Sequence, residues 1–384
     1  MTTFEKRLAR TLLSLRAADN NRQLPRLQHQ GIYVMQDGRR LLNLASNDYL
    51  GIASDPQIRA SFMQTIDLDK ALWSASASRL LTGNFEIYAA LEERLATCYG
   101  KQAALVFNSG YHMNIGILPA ICSGKTLILA DRRIHASLID GVRLSKGAFI
   151  RYPHGDYQQL EALLTAQAHL YEQVVIVTES VFSMDGDLAD LNRLVELKRS
   201  FLNVLLYVDE AHAVGVMGAT GLGLAQQLGC IEDIDFLVGT FGKALASMGG
   251  YLVCTRLIRD YLINKMRPLI YSTALPPIQL AWSDFVLSHL ASLSDRRARL
   301  QYLSERLNTA LLQKGYPCHG DSHIVTVVLG SSEKALASSA KLHAAGFYLP
   351  AIRPPTVASG SARLRISLNA GLQQKDIDQL LVYL

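Results

Sequence analysis

The stretch Phe236-Leu237-Val238-Gly239-Thr240-Phe241-Gly242-Lys243-Ala244 joins an apolar, strand-like run to a turn of small residues that carries one lysine. A lysine just past the end of a buried strand lies where open α/β sheets bind their ligands. Burial and neighbouring charges can lower the pKa of such an amine and make it a nucleophile that forms a Schiff base. The alternative is an ordinary surface lysine, and the other strand ends of the chain are needed to distinguish the two.

Length and composition favour a globular enzyme. The chain has 384 residues, of which 49% are hydrophobic and 18% charged, and this allows two or three domains with a large core. The formal net charge of +5 is not concentrated in long basic runs, so we expect no nucleic-acid partner. The N-terminus lacks an apolar signal segment, and no apolar run reaches the roughly 18 residues of a membrane span. These features predict a cytoplasmic protein that does not insert into membranes.

The cysteines indicate reduced thiols. Their number is odd and no two are close in sequence, which argues against a disulfide framework and against a zinc site. We therefore expect no bound metal. The five are Cys98, Cys122, Cys230, Cys254 and Cys318.

The central part of the chain alternates short apolar segments with helical ones, which is typical of a mostly parallel sheet covered on both faces. The helices between the strands are predicted to begin near Gly110, His135, Gln158 and Leu188. The predicted strands are 103–107, 126–130, 174–178, 204–208, 236–239 and 251–254.

The two ends of the chain have a different pattern. Leucines at helical spacing predict a helix over 4–19, and the Asp37-Gly38 turn predicts a hairpin over 31–44. After Pro276 the pattern predicts a long helix to about Lys314, strands at 323–329 and 363–368, and helices at 333–345 and from Gln374. We therefore predict an N-terminal segment over 1–45, a large cofactor-binding domain over 46–276 and a small C-terminal α+β domain over 277–384.

Polar residues follow five of the predicted strands, at the edge where open α/β folds bind ligands. Any one of these groups alone can be explained as a helix cap or a turn. Five groups on the same edge favour a ligand site that includes the lysine. The groups are Asn108 to Tyr111, Asp131 with His135 and Ser137, Glu179 with Ser180 and Ser183, Asp209 to His212, and Thr240 with Lys243.

Three of these groups have the chemistry that pyridoxal phosphate (PLP) requires. Asp209 follows an apolar run, so its carboxylate is expected to be partly buried and to need a cationic or N–H partner, although it could also be a simple N-cap. Ser109-Gly110-Tyr111 opens a helix whose N–H groups can bind an anion, although it could also be an ordinary cap. With Lys243, these groups would bind the aldehyde, the ring nitrogen and the phosphate of PLP.

Competing motifs are incomplete. Asp209-Glu210-Ala211-His212 also occurs in some helicases, but Leu237 stands where a phosphate-binding loop ending at Lys243 would need its first glycine. Gly221-Leu222-Gly223 begins a dinucleotide-binding pattern, but Gln226 replaces the third glycine. Neither H-E-x-x-H nor G-x-S-x-G occurs, which argues against zinc proteases and α/β-hydrolases.

Several motifs together resemble the α-oxoamine synthases, which are PLP enzymes of the aspartate aminotransferase-like fold (fold type I). The resemblance extends from about Arg16 to the C-terminus. It implies an α/β fold with a mostly parallel sheet in the large domain, a smaller C-terminal α+β domain, and a homodimer. The motifs are Thr240-Phe241-Gly242-Lys243, Asp209-Glu210-Ala211-His212, Ser46-Asn47-Asp48-Tyr49-Leu50-Gly51, and the segments 131–137 and 178–186.

The resemblance implies roles for individual residues. PLP would be bound covalently to Lys243, which would also move the substrate proton, while Asp209 would bond the ring nitrogen and His135 would stack on the ring. These three are the implied catalytic residues. The implied cofactor contacts are Gly110, Tyr111, His135, Ser183, Asp209, His212, Thr240 and Lys243, and the implied substrate contacts are Arg22, Asn47, His135, Thr356 and Arg365.

The C-terminal motifs also imply substrates. Residues 352–357 and 362–365, with 16–19 and Arg22 near the start, are most similar to members that condense L-alanine with a pimeloyl thioester in biotin synthesis. The thioester would be carried by coenzyme A or by an acyl carrier protein. Arg365 with Asn47 would hold the amino-acid carboxylate, and Arg22 with Thr356 would contact the acyl group.

Alternatives remain open at this point. Other members of the family are glycine C-acetyltransferase, 5-aminolevulinate synthase and acyl-CoA-dependent signal-molecule synthases. A non-catalytic PLP-fold binding module is a further alternative, against which the intact set of site residues argues. Two departures from the family lie near the implied acyl pocket: the turn 74–78 has no glycine, and Tyr88 replaces a frequent histidine.

Overall fold

The computed structural model describes residues 1–67, 69–316 and 322–384. These residues form two compact units. The large unit comprises Asp55–Ser183 and Leu188–Ala298, and the small unit comprises Met1–Ser54, Met184–Asp187 and Arg299–Leu384. Within the described residues Cys98, Cys122, Cys230 and Cys254 are free thiols, and Cys318 lies outside these residues.

The described residues form strands and helices along the whole chain. The strands are β1 Gln28–Gln30, β2 Tyr33–Gln36, β3 Arg39–Asn43, β4 Ala103–Phe107, β5 Thr126–Asp131, β6 Ala148–Tyr152, β7 Gln173–Glu179, β8 Val204–Asp209, β9 Phe236–Thr240, β10 Gly250–Cys254, β11 Ile324–Gly330, β12 Phe347–Tyr348, β13 Ala351–Ile352 and β14 Ala362–Ser367. The α-helices are α1 Thr3–Ala17, α2 Pro56–Thr65, α3 Glu86–Tyr99, α4 Gly110–Ile121, α5 Ala136–Leu144, α6 Tyr157–Gln167, α7 Leu191–Arg199, α8 Leu224–Gln227, α9 Arg256–Lys265, α10 Arg267–Ile270, α11 Pro277–His289, α12 Ser294–Gln313, α13 Ser332–Ala344 and α14 Gln374–Tyr383.

The large unit is built on a seven-stranded sheet with the strand order β4-β10-β9-β8-β7-β5-β6. Strands β9, β8, β7, β5 and β6 pair in parallel, and β10 is antiparallel to both of its neighbours. The strands β4, β5, β9 and β10 are buried at every position. Continuous apolar runs of this kind are expected of strands with both faces covered. The predicted mostly parallel sheet is confirmed.

The six predicted strands of this sheet are present, with ends that differ by at most one residue from the prediction. The sequence did not predict β6. This strand lies at the edge of the sheet, pairs with β5 alone among the described strands and exposes most of its residues. An edge strand of this kind needs no continuous apolar run, so its sequence carries little strand signal.

The small unit contains two sheets, with the strand orders β1-β2-β3-β12 and β11-β14-β13. The predicted hairpin is present as β2 and β3, which are joined at Asp37 and Gly38. Both turn residues have positive φ, which explains the Asp-Gly pair. β12 pairs in parallel with β3, and this pairing joins the N-terminal segment to the C-terminal part of the chain. The short strands β1, β12 and β13 were not predicted.

The boundaries of the units differ from the predicted domain boundaries after residues 45 and 276. The N-terminal segment lies in the same unit as the C-terminal residues, and α11 lies in the large unit. There Arg94 on α3 donates two hydrogen bonds to Asp284, over 2.6 and 3.1 Å, and Trp282 Nε1 donates to the Ala246 carbonyl over 2.9 Å. These contacts explain why the large unit continues past Pro276. Among the helices of the described residues, none combines the length and the apolar character required to cross a membrane.

Candidate active site

The carboxyl ends of five strands meet at one edge of the large sheet. β5, β7, β8 and β9 are parallel, and β4 runs in the same direction because both β4 and β9 are antiparallel to β10. The five groups of polar residues predicted from the sequence follow these five strands. The prediction that they share one edge of the sheet is confirmed.

Asp209 ends β8 and is only 5% exposed. Its Oδ2 accepts a hydrogen bond from Asn114 Nδ2 over 2.9 Å, and its Oδ1 accepts one from the backbone N–H of Ala211 over 2.9 Å. Hydrogen bonds compensate the cost of burying a polar group. They also fix the orientation of the carboxylate at the end of the strand.

Lys243 lies in the loop after β9 and is half-buried. The backbone of this loop is hydrogen-bonded to itself: Phe241 N donates to the Gly249 carbonyl over 3.0 Å, and Ser247 N donates to the Phe241 carbonyl over 2.8 Å. Thr240 Oγ also donates to the Gly249 carbonyl, over 2.8 Å. These bonds make the turn of small residues a defined support for the lysine.

The predicted anion cup lies at the first turn of α4. Ser109 is the N-cap, and its hydroxyl accepts the backbone N–H three residues later over 3.1 Å. Gly250, the first residue of β10, lies so close that a Cβ there would be 2.9 Å from the nitrogen of Gly110. Only glycine permits this approach. A side chain at Gly110 would lie 3.8 Å from Thr240, so the cup and the start of the lysine loop are neighbours.

His135 is the N-cap of α5, and its Nδ1 accepts the backbone N–H of Ser137 over 3.2 Å. The backbone N–H of His135 donates to the Glu179 carboxyl. Burial lowers the pKa of His135, the Asp209 charge opposes this effect, and Lys243 lowers the pKa further. The imidazole is therefore neutral at pH 7.

Glu179 ends β7 and is directly paired with Asp209 in the parallel ladder. Both side chains are buried, at 3% and 5% exposure. Burial raises the pKa of Glu179 well above its usual value, and the Asp209 charge raises it further, whereas Lys243 and the hydrogen bond from His135 lower it. Two neighbouring buried carboxyl groups do not both ionise readily. We assign the proton to Glu179.

Glu210 fastens the segment that follows β8 and carries His212. Its Oε2 accepts hydrogen bonds from Ser180 Oγ over 2.6 Å and from Leu224 N over 3.0 Å, and its Oε1 accepts one from Ala225 N over 2.7 Å. The side chain is 1% exposed, and burial raises the pKa of Glu210 to about 7. Three donors converging on one buried carboxyl restrict the path of this segment.

The other predicted cofactor contacts in the large unit also lie at this edge. His212 and Ser183 are buried, at 5% and 6% exposure. Tyr111 lies in the first turn of α4, is 45% exposed, and donates its phenolic hydrogen to the Asp140 carboxylate. The predicted contacts in this unit therefore all follow the carboxyl ends of its strands.

The small unit contains the remaining predicted substrate contacts. Arg365 lies on β14 and is 8% exposed. Its Nη1 donates to Ser367 Oγ over 2.7 Å and to Asn47 Oδ1 over 3.3 Å, and its Nη2 donates to the Tyr49 hydroxyl over 3.4 Å. These acceptors orient the planar guanidinium, whose shape matches a carboxylate.

A second pair in the small unit joins Arg22 and Thr356. Arg22 Nη2 donates to Thr356 Oγ over 2.9 Å, although 334 positions separate the two residues in sequence. Both line an open pocket of about 220 Å³, together with Arg353. Two guanidinium groups beside a pocket favour a small anionic end group as its occupant.

The departure at Tyr88 has a structural explanation. The ring is 1% exposed, its hydroxyl accepts the backbone N–H of Leu275 over 2.8 Å, and the Arg79 guanidinium lies 3.9 Å from the ring centroid. Arg79 also forms a 2.7 Å ion pair with Glu92. Tyr88 is thus a packing residue in the large unit. In the glycine-free turn, Ser76 adopts a positive φ of 49°.

The donor set of the large unit fits PLP. A half-buried amine, a buried carboxylate with fixed orientation and a capped helix N-terminus are the groups that the aldehyde, the ring nitrogen and the phosphate require. Lys243, Asp209 and Gly110 supply them. The electrostatic influence of both Lys243 and Asp209 on His135 indicates that these groups share one site.

Comparison with known proteins identifies the family. The model of the family described as aminotransferase class I and II matches residues 39–384. The chain belongs to the aminotransferase class I and II family. Members of this family use PLP, so the predicted cofactor and the predicted fold type are confirmed.

Curated relatives match this family member over nearly its whole length. A putative 8-amino-7-oxononanoate synthase of Glaesserella parasuis is 54% identical over 95% of this chain and 96% of its own. The 8-amino-7-oxononanoate synthase of Haemophilus ducreyi is 50% identical over 100% of both chains. These names are those of acyltransferases, and they confirm the resemblance to α-oxoamine synthases and the prediction of an enzyme.

Solved structures of the same fold are also similar. A serine palmitoyltransferase variant from S. paucimobilis, solved with bound PLP–myriocin, has a TM-score of 0.89 and 26% identity, covering 100% of this chain and 97% of its own. The 8-amino-7-oxononanoate synthase of Francisella tularensis has a TM-score of 0.77 and 29% identity, covering 89% of this chain and 96% of its own.

Sequence reasoning missed several site residues of this aminotransferase-family chain. No role was predicted for Asn114, which contacts Asp209 and Ser137, or for Ser137, which contacts His135. No role was predicted for Glu210 either. For Asn114 a signal existed, because it is a lone amide in the apolar stretch 113–118 of α4 and is 2% exposed. A buried amide needs polar partners, which predicts a network around it.

Proposed function

We propose that this enzyme condenses L-alanine with a pimeloyl thioester to give 8-amino-7-oxononanoate, CO2 and the free thiol. The observation that carries the proposal is the convergence of Lys243, Asp209 and His135 on one sheet edge, in a chain 54% identical to a relative of that name. The oriented guanidinium of Arg365 supports an amino-acid carboxylate as part of the substrate.

Bound PLP supplies an electron sink that stabilises negative charge at the amino-acid α-carbon. Lys243 would hold the cofactor aldehyde through its amine, and after the amino acid takes its place the freed amine would move the α-proton. Asp209 would keep the ring nitrogen protonated, because a buried carboxylate favours a positive partner. Lys243 would thus act at the aldehyde carbon of the cofactor and Asp209 at its ring nitrogen.

The remaining residues of the large unit would position the reacting groups. His135 would pack on the ring and present its Nε2 to the substrate, and His212 with Ser183 would bond the ring hydroxyl oxygen. Gly110, Tyr111 and Thr240 would hold the phosphate through backbone N–H groups and a hydroxyl.

The residues of the small unit would select the substrates. Arg365 with Asn47 would bind the amino-acid carboxylate, since a planar fork pairs with a carboxylate bidentately. Arg22 and Thr356 would bind the acyl substrate at the pocket that they line. The distal carboxylate of a pimeloyl group has the charge that this pocket favours.

We further propose that the enzyme is a cytoplasmic homodimer and that its thioester is carried by coenzyme A or by an acyl carrier protein. A steady-state comparison of pimeloyl-CoA with pimeloyl-carrier protein distinguishes the two donors. Sedimentation of the holoenzyme tests the dimer, and a fully active monomer would refute it.

The function is tested with a matrix of amino acids and thioesters. L-alanine, glycine and L-serine are each combined with pimeloyl-, acetyl-, succinyl- and palmitoyl-CoA, and release of CO2 and thiol is measured. We expect the highest kcat/KM for L-alanine with the pimeloyl donor, and no turnover by Lys243→Ala. A higher kcat/KM for glycine with acetyl-CoA, or for L-serine with palmitoyl-CoA, would replace the proposal with another reaction of the family. An absorbance spectrum unchanged between wild type and Lys243→Ala would favour a non-catalytic binding module.

A further inference from the structure

A chain of buried polar side chains lies behind Asp209 and His135 in the large unit. Its members are Asn114 on α4, Ser137 on α5 and Tyr207 on β8, which are 2%, 1% and 0% exposed. Asn114 contacts Tyr207 over 2.6 Å, Asp209 over 2.9 Å and Ser137 over 3.0 Å. Buried polar groups at this depth must satisfy one another, so their hydrogen-bond directions are strongly constrained.

The direction of each bond follows from the chemistry of the partners. A carboxylate only accepts, so the atom of Asn114 that faces Asp209 has to be the amide nitrogen. The amide oxygen of Asn114 then accepts the hydroxyl hydrogen of Tyr207. The second amide hydrogen of Asn114 donates to Ser137 Oγ. Tyr207 and Asp209 thus fix which way the Asn114 amide is turned.

The same logic extends to His135. Because Ser137 Oγ accepts from Asn114, its own hydrogen is available for His135 Nδ1, which lies 2.8 Å away. The backbone N–H of Ser137 approaches the same Nδ1 over 3.2 Å. Two donors directed at Nδ1 require that nitrogen to be unprotonated, which leaves the imidazole proton on Nε2.

We propose that Asn114 and Ser137 are positioning residues that hold His135 as a neutral imidazole with its proton on Nε2 and that couple its orientation to the Asp209 carboxylate. Each acts through another side chain, Asn114 through Asp209 and Ser137, and Ser137 through His135. Asn114 donates to both Asp209 and Ser137, so one amide orients Asp209, which would pair with the ring nitrogen, and, through Ser137, His135, which would pack on the ring. The role of His135 in this statement rests on the proposed function, whereas the tautomer does not.

Several charged groups act on His135 besides this chain. Asp209 and Asp140 favour the imidazolium and Lys243 disfavours it, while the Glu179 carboxyl accepts the His135 backbone N–H. The N-terminus of α5 also disfavours a positive charge on its cap residue. The two donors to Nδ1, burial and the helix dipole therefore all favour the neutral imidazole of His135, whereas Asp209 and Asp140 favour the imidazolium.

The test is nitrogen-15 NMR of the full-chain holoenzyme labelled at histidine, with His135→Gln used to assign the signals. The chemical shifts of Nδ1 and Nε2 report the tautomer and, in a pH titration, the pKa of His135. The variants are Ser137→Ala, Asn114→Ala and Tyr207→Phe. The matched control is Asn203→Ala, since Asn203 Nδ2 also donates two hydrogen bonds of 2.9 Å, to the carbonyls of Ala168 and Tyr171.

We expect wild-type His135 to carry its proton on Nε2. Ser137→Ala and Asn114→Ala should raise the pKa of His135 and populate the Nδ1–H form, and each should lower kcat/KM about fivefold, as for one lost hydrogen bond. The double variant should lose little more than Asn114→Ala alone, because the two residues act in series. Asn203→Ala should leave the His135 signals unchanged.

Two results would overturn the inference. One is a wild-type His135 with its proton on Nδ1, and the other is folded Ser137→Ala and Asn114→Ala variants whose His135 shifts and pKa equal those of the wild type. If Asn114→Ala does not fold, Tyr207→Phe serves in its place, because it keeps the ring that stacks on Phe236 and loses only the hydroxyl donor. A Nε2–H signal in an enzyme that fails to condense L-alanine with the pimeloyl donor would refute the proposed function and leave the inference intact.

Discussion

Glu179 and Asp209 are directly paired at the ends of two parallel strands, and both carboxyl groups are buried. The pKa of Glu179 is raised well above its usual value, first by burial and then by the Asp209 charge. The fold therefore favours the protonated form of the Glu179 carboxyl.

Glu179→Gln should be tolerated. Glutamine has the shape of a protonated glutamic acid, and its amide oxygen can still accept the His135 N–H, so we expect Glu179→Gln to be at least as stable as wild type at pH 7. Glu179→Ala should be about 2–4 kcal/mol less stable than Glu179→Gln, because it leaves that N–H unpaired and opens a cavity. Chemical denaturation at pH 7 measures both. A loss as large in Glu179→Gln as in Glu179→Ala would contradict the neutral assignment.

The same pair predicts a pH dependence of stability. The folded-state pKa of Glu179 lies above the usual 4.5, so the folded wild type binds more protons than the unfolded chain in this window. Its stability should fall as the pH rises from about 4.5 through the folded-state pKa. Glutamine does not titrate, so Glu179→Gln should gain stability relative to wild type over the same window. The control is Glu172→Gln, since the Glu172 side chain is 66% exposed and forms a surface ion pair with Lys125. This variant should show no such gain in stability.

Glu210→Gln should be less stable than Glu179→Gln. Whichever way the new amide is turned, its NH2 group faces the backbone N–H of Leu224 or of Ala225, and one buried donor loses its acceptor. We expect the free energy of unfolding of Glu210→Gln to be about 1–3 kcal/mol below that of Glu179→Gln. Equal stability of the two glutamine variants in parallel denaturation curves would rule out this hydrogen-bond assignment.

Asp185→Ala should destabilise the protein through an unpaired buried cation. In the small unit the Arg363 and Asp185 side chains are 7% and 11% exposed and form a 2.5 Å ion pair. Removal of one partner of a buried pair costs about 3–5 kcal/mol. The double variant Asp185→Leu/Arg363→Met should recover most of that loss, as measured by thermal and chemical unfolding. A double variant no more stable than Asp185→Ala would show that the charge itself is not the cause.

Arg365→Lys should weaken binding of the amino-acid substrate. Lysine keeps the charge but loses the planar fork, and loss of one charge-assisted hydrogen bond, worth about 1.5 kcal/mol, corresponds to a roughly tenfold higher KM for L-alanine. Arg22→Lys is the matched variant and should raise the KM of the acyl thioester only. The proposed division of substrates between the two arginines would fail if both variants changed the same KM.

Much of the large-unit fold was predictable because its signals are local. Each buried parallel strand is a continuous apolar run, and the polar residue that ends it, such as Asp209 or Asp131, marks the ligand edge. The weakly marked elements were missed. β6 is exposed at the sheet edge and β12 and β13 have two residues each, so their existence depends on a partner strand rather than on their own residues.

By itself the sequence determined the parallel sheet, the edge at which Lys243 and Asp209 lie, and the chemistry that points to PLP, because apolar runs and the residues that end them are local properties. Only the tertiary structure decided that Asn114 joins Asp209 to Ser137, that burial beside Asp209 raises the pKa of Glu179, and that β12 pairs with β3. These facts depend on burial and on strand register between residues far apart in the chain. Desolvation and hydrogen-bond direction exist only once those residues are in contact.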